Sequence, residues 1–178
     1  MKIMKRILFC LFTIVALNCV AQQFETTAVL DAEGNLVGIA TKDDFLEAPF
    51  NEWFSFNYDN YEVNEDIAKE LDPLLKDFTI KAFMGTWCSD SQDQTPVFYK
   101  ILDGANFDYD NLELVTLNED KKTPDNLQKG YHIERVPTFI FFKNGIEMGR
   151  FVEYPRETVE DDMLKIVSGE PYKHSYED

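Results

Sequence analysis

The heptapeptide Phe78-Thr79-Ile80-Lys81-Ala82-Phe83-Met84 has the composition of a buried strand and runs without a break into Gly85-Thr86-Trp87-Cys88. A helical pattern follows from about Asp90 to Leu102, with Pro96 inside it, and Leu112–Leu117 then alternates as a second strand. Strand, helix and strand in that order make a parallel unit. Farther on, Thr138–Phe142 and Ile146–Val152 flank Lys143-Asn144-Gly145, an antiparallel hairpin with an Asn-Gly turn. Joining a parallel unit to an antiparallel pair requires a mixed central β-sheet, and the helical spacers predict helices on both of its faces.

The remaining segments fill in around that sheet. Thr26–Leu30 and Leu36–Ala40 bracket Asp31-Ala32-Glu33-Gly34-Asn35, which predicts an N-terminal β-hairpin extension within residues 22–50. Thr41-Lys42-Asp43-Asp44 offers cap residues for a short helix ending before Pro49. The aromatic run Trp53 to Tyr61 predicts a strand or loop packed on the core. From Asn64, apolar residues at Ile67, Leu71, Leu74, Leu75 and Phe78 recur with helical period, and Pro73 is expected to kink or split that helix. Thr123 to Gly130 reads as a helix with Pro124 at its first position, and a last amphipathic helix spans about Arg156 to Val167. Residues 51–168 thus form the main domain, and the polar tail, residues 169–178, is expected to be disordered. Fifteen Phe and eight Tyr are ample for one core.

Residues 1–21 resemble a cleavable export signal: Lys2, Lys5 and Arg6 precede the apolar run Ile7–Leu17, and Cys19-Val20-Ala21 ends in a small residue. The run is short for a transmembrane anchor, and no stop-transfer charges follow, so no stable membrane insertion is expected after cleavage. Asn18 argues against a lipid anchor on Cys19. Cleavage takes three of the 17 basic residues and no acids, leaving 14 against 33 acidic ones, a formal charge of −19. Such a charge argues against nucleic acid and anionic membranes as partners. Cleavage also removes Cys10 and Cys19, so Cys88 becomes the sole thiol of an exported chain, where cysteines ordinarily pair.

With Trp87-Cys88 at a strand end, Pro96 eight residues on, Val136-Pro137-Thr138 opening the hairpin and Gly145 in its turn, the stretch from about residue 50 to 168 resembles the thioredoxin-like family. The resemblance implies a thioredoxin fold, a reactive Cys88 beside a cis-proline at Pro137, and peptide-binding backbone at Val136. Three positions depart from the family pattern. Ser91 stands where dithiol relatives carry a second cysteine, Ser89-Asp90 replaces the usual Gly-Pro, and Ala82 replaces a buried acid thought to handle the second cysteine's proton. A chain without the second thiol has no use for that acid, so the two losses are consistent with each other.

A cysteine at a helix N-terminus has its thiolate stabilised by free backbone N–H groups and the helix dipole. Asp90 opposes this by like charge or serves as the helix N-cap, and Arg135 could offset it. A thiolate attacks a substrate disulfide to give a mixed disulfide. Ser91 cannot resolve that adduct, because an alcohol does not displace a thiolate. Release then needs another substrate cysteine, giving isomerisation, or an external thiol, giving reduction.

The expected catalytic residues are Cys88 as nucleophile, Ser91 as hydrogen-bond donor to its sulfur, Trp87 as a shield, and Pro137; Val136, Thr138 and Arg135 are the expected substrate-binding residues. The expected partners are exported proteins with cysteines or disulfides and a low-molecular-weight thiol, with no cofactor. A binding or retention module with a trapping or vestigial Cys88 is the alternative. Iron–sulfur binding of the monothiol glutaredoxin kind conflicts with export, and His132 and His174, the only histidines, lie too far apart in sequence to suggest a metal site.

Overall fold

The computed structural model describes residues 27–178. The segment 1–21 expected to direct export, with Cys10 and Cys19, and Thr26 lie outside the described residues. Six strands form one sheet: β1 Val29–Leu30, β2 Leu36–Ala40, β3 Phe78–Met84, β4 Leu112–Thr116, β5 Thr138–Lys143 and β6 Ile146–Val152, in the order β1-β2-β4-β3-β5-β6. β3 and β4 are parallel, and every other neighbouring pair is antiparallel. The sheet is mixed and flanked by helices, as the sequence predicts. The N-terminal hairpin is an integral part of it, since β2 pairs with β4 through Gly38–Thr116, Ile39–Val115 and Ala40–Leu114. The Asn144-Gly145 turn of the second hairpin has both residues at positive φ, +52° and +76°, the conformation that a two-residue turn between twisted strands requires.

Four helices accompany the sheet: α1 Asn51–Asn60, α2 Glu65–Leu75, α3 Ser89–Gly104 and α4 Val159–Ser168. The aromatic run is α1, not a strand or loop. Phe50, Phe54 and Tyr58 recur every four residues and so fall on one helical face, with Phe54 stacked between Phe45 and Tyr58. Off that face, Phe56 is exposed. α2 continues past Pro73 to Leu75 without splitting, because the proline lies in its last turn and the chain beyond it is short. Asn64 caps that helix through its side-chain oxygen, which accepts from the amides of Asp66 and Ile67.

The two faces of the sheet are covered differently. Ala82 and Met84 of β3 and Phe139 and Phe141 of β5 point into the main core, where the buried side chains of all four helices meet them. Phe83 and Ile140 alternate to the other face and join Val115, Leu117 and Val136 in a smaller cluster. Helices on both faces were expected; this second face is instead covered by Leu127, Tyr131 and Ile133 from a segment built of turns. The helix expected over Thr123–Gly130 does not form. The Thr123 hydroxyl accepts from the amide of Leu127, but Asn126 takes φ +57° and Gly130 φ +90°, and the backbone closes in i to i+3 turns.

The tail, expected to be disordered, is folded back. Tyr172 donates to Asp162 of α4 at 3.0 Å, and the Arg156 guanidinium donates to the carbonyls of Lys173 and His174, each at 2.8 Å. Planar guanidinium donors satisfy a run of backbone acceptors that its polar sequence alone does not reveal. Among the described residues no helix is long and apolar enough to cross a membrane.

Candidate functional site

Cys88 ends the turn between β3 and α3 and occupies the N-cap position of α3, with extended backbone at φ −94° and ψ 124°. Asp90 is therefore inside the first turn and is not the cap. The turn is closed by the Cys88 amide donating to Gly85 O at 3.0 Å. Gly85 is required by the ring of Trp87, since a Cβ at residue 85 would lie 2.5 Å from the indole. The indole N–H donates to Leu117 O at 2.8 Å, which lays the ring along the smaller core cluster beside Cys88.

Two further anchors hold this turn, and neither was marked in the sequence. Thr86 is buried, and its hydroxyl accepts from the Leu36 amide at 3.1 Å, which ties the cysteine turn to β2. Gln92 donates from its side chain to Thr86 O at 2.6 Å. A polar Thr between a strand and a Trp-Cys pair is the only sequence hint of the first contact.

The Cys88 side chain is half-buried, and its thiol donates to the carbonyl of Val136 at 3.3 Å. The peptide bond from Val136 to Pro137 is cis. Ser91 has a different role from the one expected of it. It is fully buried, its Oγ accepts from the Gly85 amide at 3.2 Å, and among the described contacts it makes no hydrogen bond to the sulfur. Ser91 thus fixes the turn. Ala82 is fully buried in the main core, where an acid would need a partner of its own.

The segment before the hairpin is braced from several sides. Thr138 is buried and donates its hydroxyl to Arg135 O at 2.7 Å, which holds the loop. The Glu153 amide donates to Pro137 O at 2.8 Å. Arg135 is exposed but engaged: its guanidinium meets Glu153 at 3.0 Å and lies 3.8 Å from the centre of the Tyr176 ring. Of the seven residues singled out from sequence, Trp87, Cys88, Ser91 and Arg135 to Thr138 are all brought to one end of the sheet. His132 and His174, distant in sequence, line one cavity of about 400 Å³ together with Arg135, Arg150 and Tyr176. Among the described residues no three His, Cys, Asp or Glu side chains gather as a metal site.

A family model described as thioredoxin matches residues 48–165. The chain belongs to the thioredoxin family. Within that family it is 32% identical over 88 residues to the chloroplastic thioredoxin Y of rice, a match covering 49% of this chain and 46% of the rice protein. It is 27% identical over 92 residues to a thioredoxin of Mycoplasma genitalium, covering 51% of this chain and 84% of that one. The chain thus spans less than half the length of the rice relative. Among solved structures, a Pseudomonas aeruginosa protein of unknown function superimposes with a TM-score of 0.54 at 15% identity, over 72% of this thioredoxin-family chain and 91% of the other, a likeness of fold alone.

Proposed function

We propose that this thioredoxin-family protein carries out thiol–disulfide exchange with one cysteine, acting on exported proteins. The observation that supports this most is the half-buried Cys88 thiol at the N-terminus of α3, facing the carbonyl of Val136 next to Pro137. That contact sets the sulfur against the Val136-Pro137 backbone, which offers an extended peptide a partner.

In the proposed reaction the Cys88 thiolate attacks one sulfur of a client disulfide. An S–S bond to Cys88 forms, the client S–S bond breaks, and the other client sulfur leaves as a thiolate. Ser91, buried on the Gly85 amide, takes no part in release. A second client thiolate attacks the client sulfur of the adduct, which makes a new client disulfide and returns Cys88 as thiolate, a net isomerisation. For net reduction, one low-molecular-weight thiol attacks Cys88 Sγ and frees the client thiol. A second such thiol then takes the small disulfide away and restores Cys88, so two external thiols are oxidised for each client disulfide reduced.

Purified chain from residue 22, with glutathione present, should rearrange a scrambled disulfide protein or reduce a protein disulfide faster than its Cys88→Ser variant. Equal rates for the two would reject the reading. A second reading, a retention module that keeps clients as long-lived adducts, is favoured by the replacement of the resolving cysteine by Ser91. It predicts adducts that persist with glutathione present.

A further inference from the structure

We infer that the C-terminal tail, residues 172–177, is part of the thiol site: a strap that sets the position of the Val136-Pro137 backbone facing Cys88, with Tyr176 as its positioning residue. The inference rests on the exchange reading above for its functional meaning and on independent geometry for the strap itself.

The contacts form a continuous path. The strap is fastened at its base by Tyr172 on Asp162 and by the Arg156 guanidinium on tail carbonyls. Ser175 then donates to Tyr154 O at 2.5 Å, which brings the chain across the segment that follows β6. At the far end the Tyr176 hydroxyl donates to the Glu153 carboxylate, and its ring packs on the Arg135 guanidinium 3.8 Å away. Glu153 and Arg135 are themselves paired, and they hold the proline loop from two directions. Glu153 donates its amide to Pro137 O, and Arg135 immediately precedes Val136, whose carbonyl accepts from the Cys88 thiol.

The physical case is one of lost freedom. Residues 131–137 contain no helix or strand, so the loop depends on discrete contacts for its position. An Arg held between a carboxylate and an aromatic face loses the side-chain motion that an exposed Arg ordinarily keeps, and its backbone is fixed with it. A peptide docking on the Val136 backbone needs that backbone already in place, whereas a small alkylating reagent needs only the sulfur. The strap should therefore separate the two kinds of reactivity.

The test compares wild type, Tyr176→Phe, Tyr176→Ala and Arg156→Ala in the chain from residue 22. Each is assayed for deuterium uptake over residues 131–137, for alkylation of Cys88 by iodoacetamide, and for mixed-disulfide formation with a cysteine-containing peptide disulfide. Tyr176→Ala and Arg156→Ala should raise uptake in this segment and slow reaction with the peptide at least fivefold, while alkylation changes less than twofold. Tyr176→Phe, which keeps the ring on Arg135, should stay within about twofold of wild type in all three. Unchanged uptake in Tyr176→Ala would overturn the strap, as would peptide and iodoacetamide rates that fall together. Wild type that is alkylated but never joins the peptide, with uptake still raised in Tyr176→Ala, would leave the strap standing and reject the exchange reading.

Discussion

The Cys88 sulfur lies 3.3 Å from the carbonyl oxygen of Val136, across 48 residues of sequence. Everything built around this contact serves to hold its two ends. On one side Gly85, Thr86 and Ser91 fix the turn; on the other Thr138, Glu153 and Arg135 fix the proline loop. A site of this kind is preorganised by buried hydrogen bonds more than by the reacting residues themselves.

Gly85→Ala tests the turn. The added Cβ would meet the Trp87 indole at 2.5 Å, and the ring is tethered to Leu117 O, so ring or backbone must move. Overpacking of this order costs about 1–3 kcal/mol. Urea unfolding should show that loss, together with slower exchange by Cys88. An unchanged midpoint would mean that the indole moves aside freely.

Ser91→Cys tests the resolving argument. A thiol three residues after Cys88 supplies the nucleophile that the serine cannot, so client adducts on Cys88 should shorten in lifetime and an internal disulfide should appear on oxidation. Adducts as long-lived as in wild type would show that something other than the missing thiol governs release.

Asp103 tests a polar cluster on α3 remote from the thiol. Burial opposes its ionisation, but hydrogen bonds from Lys42, Tyr58 and Tyr109 outweigh burial and hold the carboxyl below its ordinary value of 3.8. With the folded value depressed, the stabilisation is present above about pH 3.8 and is lost as pH falls through the folded value. Asp103→Asn should cost about 2 kcal/mol at pH 7, the scale of hydrogen bonds to a charged group. That deficit should shrink in urea titrations taken toward pH 3. A deficit constant with pH would assign the loss to packing.

His174 makes the strap sensitive to acid. Burial pushes its imidazole below the ordinary 6.5; Glu177 opposes that, while Arg150 and Arg156 add to it. Its Nδ1 accepts from the Tyr176 amide at 3.2 Å, which the neutral ring alone can do. A depressed histidine stabilises the folded tail above pH 6.5, and that contribution is lost as pH falls through the folded value. Deuterium uptake across residues 172–177, corrected for intrinsic exchange, should therefore rise between pH 7 and pH 5. His174→Gln should flatten the rise, and an equal rise in that variant would acquit the histidine.

The sheet and the thiol turn were legible because their signals are local. A buried-strand heptapeptide leading into Gly-Thr-Trp-Cys, an Asn-Gly turn and Val-Pro-Thr each carry their backbone geometry within a few residues. α1 was misread because aromatic content resembles a strand, although the four-residue spacing of Phe50, Phe54 and Tyr58 was present to be counted. Over 123–130 the capping Thr and the following Pro fit a helix, but tertiary cover of Phe83 and Ile140 by Leu127 and Tyr131 selects turns. The tail was missed for a different reason. Its order comes from Arg156, Asp162 and Arg135, partners that no pattern within PYKHSYED can announce.

The central claim, that Cys88 exchanges with protein disulfides, is tested most directly by acid-quenched, alkylated trapping in the native host, comparing wild type with Cys88→Ser on a non-reducing gel. Cys88-dependent adducts that disappear on reduction, and whose lifetime falls when glutathione is added, are the predicted result. Identical lanes for the two chains would contradict it and leave the fold as a non-covalent scaffold.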